Sequence, residues 1–169
     1  MYNAFRYRYD LLDDSEESEK LYSSSAFHLT KLLTESIRIT EDIFPDLHAV
    51  SKELLDNITI DSELDFFITS ENTIPNAYCI SLSKNKAVVV INSRLIDLLS
   101  VKELQFVLGH EIGHHYYAHN PKNISSELSD NVKLYYLDLQ RSMELSCDRF
   151  GLLSVRDFDV ASKAILKLV

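Results

Sequence analysis

The chain has 169 residues, 46% of them apolar and 25% charged, and a formal net charge of −9. That suffices for one domain with its own core; the acidic balance excludes the basic surface that a nucleic-acid partner needs, and no apolar run approaches the ~20 residues of a membrane helix. Residues 1–8 lack the apolar core of a secretory signal, and Cys79 and Cys147, which form no close-spaced pair, read as thiols of a reducing compartment and so place the protein in the cytosol.

Phe5, Tyr7 and Tyr9 alternate with Arg6 and Arg8, the pattern of a short strand. Asp13 to Glu19 is an acidic, solvated stretch. A helix is predicted over Leu21 to Ile39, with Phe27, Leu32, Leu33 and Ile37 in the core, and another from Asp46 to about Asp56. His28 and His48 stand alone in these helices and read as surface or satisfied histidines. Three β-rich runs follow: Leu64 to Thr69, Ala77 to Leu82 and Ala87 to Ile91, the last two joined by a turn at Ser83-Lys84-Asn85-Lys86. Asn92-Ser93 caps a short helix over Arg94 to Leu99. Ser100, with Glu103 three residues on, has capping-box spacing and opens the next helix, in a region that ends at Asn120-Pro121. A long helix from about Leu128 to Ser154 and a last one from about Asp157 to Leu168 complete the chain.

The helix opened by Ser100 carries His110-Glu111-Ile112-Gly113-His114, an H-E-x-x-H pattern. Residues four apart share a helix face, so His110 and His114 can offer two imidazoles to one metal ion. Glu111 lies one step round, placed to take a proton from a metal-bound water without ligating the metal. A catalytic zinc needs a third protein ligand and keeps its fourth position for water. The long helix offers Glu144 and Asp148, again four apart. Glu144 is assigned as the third ligand, and Asp148 as an outer carboxylate holding a ligand histidine by its other ring nitrogen. Cys147 could in principle bind zinc, but the Glu144 assignment leaves it no place, and it reads as a packed thiol.

The chain has three glycines, Gly109, Gly113 and Gly151, all inside these two helices, where each costs about 1 kcal/mol relative to alanine. Their placement predicts a close helix–helix approach. His115 and His119 remain open between a catalytic role and helix-terminal cations; on a regular helix His119 lies about 140° from His114 and cannot share its ion. In Ala77 to Leu82 the small side chains Ala77, Cys79 and Ser81 share one face and the large Tyr78, Ile80 and Leu82 the other. The large face is expected to pack on the helices and the small face to line a cleft. The strand is then the sheet edge nearest the metal, its backbone pairing with an extended peptide. Asn76 sits at the cleft end, and Cys79 lies close enough to the cleft for a bulky thiol label to block cleavage.

Asn76-Ala77, the strand through Val88 to Ile91, Glu103 to His114 with a further histidine at His119, and Glu144 to Gly151 together resemble the HtpX-like and CAAX-prenyl-protease-like zinc peptidases, metallopeptidase family forty-eight, a gluzincin family. Phe5 to Tyr9 and Ile43 to His48 resemble its soluble bacterial branch. The resemblance implies an α+β, helix-rich domain with a small, mainly antiparallel sheet of about three strands. It implies one Zn2+ per chain on His110, His114 and Glu144, Glu111 as general base, and endopeptidase activity on a peptide or protein substrate. His119 joins Asp148 outside the ligand set, and Asn76, Ala77, Tyr78 and Cys79 fall on the substrate edge. Many members carry membrane helices, and none is found here; members commonly continue past the point where this chain ends. A single domain over 1–169 is expected, with an N-terminal part at 1–60 and a catalytic core at 61–169. The alternative is a zinc-binding regulatory domain whose peptidase activity is lost or restricted.

Overall fold

The computed structural model describes residues 30, 32, 34–70, 74–119 and 129–168; the expected strand at 5–9, the acidic stretch at 13–19, His28 and the Asn120-Pro121 boundary lie outside them. The described elements run β1 (Ser36–Arg38), α1 (Pro45–Asn57), β2 (Glu63–Thr69), β3 (Ala77–Ser83), β4 (Lys86–Asn92), α2 (Ser93–Leu98), α3 (Val101–Tyr116), α4 (Asp130–Val155) and α5 (Phe158–Leu168). The architecture is α+β and helix-rich, with a four-stranded sheet in the order β1-β2-β4-β3. The outer pairs are antiparallel and the central pair, β2 with β4, is parallel.

The fourth strand is β1, where helix was expected through Ile39. Residues 34 and 35 are helical, and the chain then pairs Ser36, Ile37 and Arg38 with Thr69, Ile68 and Phe67. The Ser36 hydroxyl donates to the Leu32 carbonyl at 2.6 Å, a local bond that competes with continued helix. Arg38 ion-pairs with Asp65 of β2, and the Ile39 amide donates to Phe66 at 2.8 Å. These distant partners, together with two β-branched isoleucines, override the helical pattern.

β4 is the middle of the core. Ala87, Val89, Val90 and Ile91 are fully buried, as suits a strand with neighbours on both edges and cover on both faces. On the face towards the helices, Val89 and Ile91 join Ala77, Cys79, Leu104, Leu108, Ile112 and Phe150 in the main core. Val88 and Val90 join Phe67 in a smaller cluster on the other face, with Tyr78 and Leu82 packed against it. The expected orientation of β3 is therefore reversed: Ala77, Cys79 and Ser81 point at the helices and Tyr78 and Leu82 away. The reason is proximity, because α3 runs against the sheet and is buried from Glu103 to His115, leaving room only for small side chains between. Cys79 is 8% exposed, so a bulky label on its thiol would not report on an open cleft. β3 is nonetheless the outer strand of the sheet, on the side packed against α3.

α3 and α4 lie against each other through the glycines. A Cβ on Gly109 would stand 3.1 Å from the Gly151 Cα, and one on Gly151 would stand 2.7 Å from the Phe106 carbonyl oxygen. Ser154 locks the same end: its hydroxyl donates towards Gln105 at 3.2 Å, and its carbonyl accepts from the Gln105 and Asn57 side-chain amides at 3.1 and 2.9 Å. α5 packs on the start of α3, with Lys167 reaching Glu103.

Candidate metal centre

The site is built on α3, whose start is fixed by the predicted capping box. The Glu103 amide donates to the Ser100 hydroxyl at 3.4 Å, and the Ser100 amide donates to the Glu103 carboxylate at 2.7 Å. The hydrogen bond from Lys167 holds the Glu103 carboxyl below its ordinary range, the two Ser100 bonds add to this, and burial opposes it. Two and three turns further on, His110, Glu111 and His114 are all buried, at 9%, 5% and 8% exposure.

The two histidines converge. His110 Nε2 and His114 Nε2 stand 3.3 Å apart, and Glu144 Oε2 of α4 lies 3.5 Å from His110 Nε2. The other ring nitrogen of His110 lies 2.8 Å from Asp148 Oδ1. A carboxylate there accepts from Nδ1, and in the neutral ring this leaves the lone pair on Nε2, where a cation would need it. Two ligands about 2.0–2.1 Å from a tetrahedral zinc stand about 3.3–3.4 Å apart, so the residues present fit that ion. Glu144 and Asp148 remain partly open, with side-chain exposures of 41% and 37%.

His119 reaches this group by a route the regular-helix argument did not include. α3 ends at Tyr116, and Ala118 adopts a left-handed backbone with φ 56°. The His119 amide then donates to the His114 carbonyl at 3.0 Å, a Schellman-type closure without its usual glycine. The reversal sets His119 Nδ1 3.3 Å from His114 Nδ1, on the side of that ring away from His110. Tyr117 stacks on His119 with centroids 5.4 Å apart.

Two contacts join residues too far apart in the chain for spacing to reveal, the first of them made by the thiol expected to be packed. Cys147 is fully buried, and its Sγ lies 3.4 Å from His119 Nδ1. It forms with His110 and His114 a group whose ligand atoms lie within 4.8 Å of one another. His115, left open before, points to the sheet: its Nδ1 is 2.7 Å from Ser81 Oγ and its Nε2 3.1 Å from Ser62 Oγ. Of the expected substrate residues, Ala77, Tyr78 and Cys79 begin β3, and the Asn76 carbonyl just before it accepts from the Asn92 amide at 3.0 Å. Among the described residues no helix is long and apolar enough to cross a membrane.

Comparison with known proteins gives concordant results. A plastoglobule-localized metallopeptidase 48 of Arabidopsis thaliana chloroplasts is 30% identical over 148 residues, covering 79% of this chain and 42% of that protein. A protease HtpX homolog of Persephonella marina is 37% identical over 70 residues, 41% of this chain and 24% of the relative. A protease HtpX of Thioalkalivibrio sulfidiphilus is 42% identical over 40 residues, 24% of this chain and 14% of the relative. The chain thus spans less than half the length of these curated relatives. No solved structure matches it. The profile of peptidase family M48 matches residues 42–137, which include α3 and its H-E-x-x-H motif, and the chain belongs to that family.

Proposed function

We propose that this chain is the catalytic region of a zinc-dependent metalloendopeptidase. The observation that carries this reading is the 3.3 Å approach of His110 Nε2 to His114 Nε2, with Glu144 Oε2 3.5 Å from the former and Asp148 behind the His110 ring. His110, His114 and Glu144 hold one Zn2+, which when bound supplies a Lewis acid and a water acidified towards pKa ~7. Asp148 fixes the His110 tautomer so that Nε2 faces the ion, and His119 backs His114 in the same way. Glu111, adjacent to His110 and off the ligand stripe, takes the proton of the attacking water and passes it to the leaving amine. The substrate is a peptide or protein, and we assign its backbone to the β3 side of the site, along Asn76, Ala77, Tyr78 and Cys79. Two buried thiols support a reducing, cytosolic setting, which recovery of the protein in a membrane or secreted fraction would contradict.

Cys147 favours a second reading. A thiolate ligand beside His110, His114 and Glu144 would close the coordination shell and make the site a binding or regulatory one. Its sulfur lies 3.4 Å from His119 Nδ1, while Glu144 Oε2 stands 3.5 Å from His110 Nε2, which favours the carboxylate as the third ligand and the open site. Metal analysis and peptide cleavage by the purified protein, beside Glu111→Gln, test both readings. The peptidase reading expects zinc in each and at least a hundredfold loss of rate in the variant. Zinc without cleavage in either protein would support the closed site.

A further inference from the structure

Beyond the metal ligands, the last turn of α3 carries a second buried histidine, and its two ring nitrogens reach Ser81 and Ser62. His115 is 5% exposed and Ser81 3%, so their 2.7 Å contact lies in the interior. Ser81 marks the point where β3 slips register against β4, between Ser81 and Ser83. Ser62, on the other ring nitrogen at 3.1 Å, immediately precedes β2, whose first amide donates to Asn85 of the β3–β4 turn at 2.8 Å. One imidazole therefore ties the helix that bears the metal ligands to an irregular point of the outer strand and to the start of its second neighbour. His115 follows His114 by one residue, about 100° round the helix. The same turn thus offers a ligand on one side and a tie to β3 on the other.

Such a buried pair is shielded from substrate, so Ser81 is not a nucleophile here, and its use is geometric. We propose that His115 is a positioning residue that sets the height of β3 against the metal-bearing helix, and through it the binding of the substrate backbone. The proposal rests on the peptidase reading for its substrate. A slack β3 misplaces the bound peptide before chemistry begins, so the effect falls on KM more than on kcat. The serine hydroxyls both donate and accept, so the pairing accommodates either neutral tautomer of the ring.

The test separates the two contacts by isosteric replacement. An Asn side-chain amide can stand in for Nδ1 and a Gln amide for Nε2. His115→Asn should keep the tie to Ser81, whereas His115→Gln, His115→Leu and Ser81→Ala should lose it. The expected result with a fluorogenic peptide is KM raised about tenfold in the last three variants, kcat within about twofold of the parent, and near-parental KM in His115→Asn. Zinc content should be unchanged in all four, and amide hydrogen exchange should quicken in residues 77–83 of the three impaired variants only. Unchanged KM in Ser81→Ala, or a loss confined to kcat, overturns the proposal while leaving the peptidase reading intact. A parent protein that binds zinc but cleaves no peptide overturns the peptidase reading instead. In that case the exchange measurement decides the tie, and unaltered exchange in both His115→Leu and Ser81→Ala would refute it.

Discussion

Gly109 of α3 and Gly151 of α4 oppose each other so closely that a Cβ on the first would meet the Cα of the second at 3.1 Å and the Cβ of Ser154 at 2.8 Å. The contact sits one residue before His110 and, on α4, three after Asp148. It sets how near the carboxylates of one helix come to the imidazoles of the other. Gly109→Ala should gain about 1 kcal/mol of helix propensity and lose about 1–3 kcal/mol by overpacking. The net expectation is a destabilised protein with weaker zinc binding. Urea denaturation and chelator competition read the two effects; a more stable variant with parental zinc affinity would refute the close-packing account.

The metal-ligand assignment separates by substitution. Glu144→Ala should abolish most zinc binding, because two imidazoles remain. Asp148→Asn keeps the ligands but weakens the hold on His110, and an outer carboxylate typically contributes 10–100-fold in affinity or activity. Cys147→Ala should leave zinc affinity nearly unchanged, since the third ligand is assigned to Glu144 and the Cys147 sulfur lies against His119 Nδ1. Competition with a chromogenic chelator ranks the three. A larger loss for Cys147→Ala than for Glu144→Ala would move the third ligand to the thiol.

How much of this was legible in the sequence follows from which contacts are local. The pairs His110/His114 and Glu144/Asp148 are four apart on helices, and the Ser100–Glu103 box is three apart, so spacing alone exposes them. The glycines disclosed the helix contact because their cost inside helices has to be offset by something nonlocal. β1 was hidden because its three residues follow a helical pattern and gain their strand partners about thirty positions away. The facing of β3 was misread because alternation reveals that two faces exist and not which one meets the helix; the nearness of α3 decides that. His115–Ser81 joins residues 34 apart and has no sequence signal.

The pair of Glu103 with Lys167 gives a pH dependence of defined sign. Lys167 Nζ lies 2.7 Å from Glu103 Oε2, and that bond is the first cause of the lowered carboxyl. A folded-state value below the unfolded one, taken as 4.5, means that the folded protein holds the proton less tightly. The pair's contribution is therefore present above about pH 4.5 and is lost as pH falls through the folded value. With the lysine side chain 41% exposed, the pair itself is worth no more than about 1 kcal/mol. Lys167→Met should lower stability by that amount at pH 7 and have a shallower acid limb than the parent. Parallel stability curves from pH 7 to pH 3 for the two proteins would remove Lys167 as the cause.

Ala118 offers a test of how His119 is brought to His114. Its φ of 56° is in the left-handed region, where an L-residue with a Cβ is strained by roughly 1–2 kcal/mol and glycine is not. The residue is exposed, so its side chain contributes little packing to set against that strain. Ala118→Gly should therefore stabilise the protein by up to about 1 kcal/mol, less the greater freedom glycine has in the unfolded chain, with zinc binding retained. Ala118→Val places a β-branched side chain in the same conformation and should do the opposite. If the turn loosens, His119 Nδ1 leaves its position 3.3 Å from His114 Nδ1, and the valine variant should lose zinc affinity as well as stability. Thermal unfolding with and without zinc distinguishes the two effects. A valine variant as stable as the parent, or a glycine variant less stable than it, would mean that the chain turns after Tyr116 in some other way and that His119 is not held against His114 by this closure.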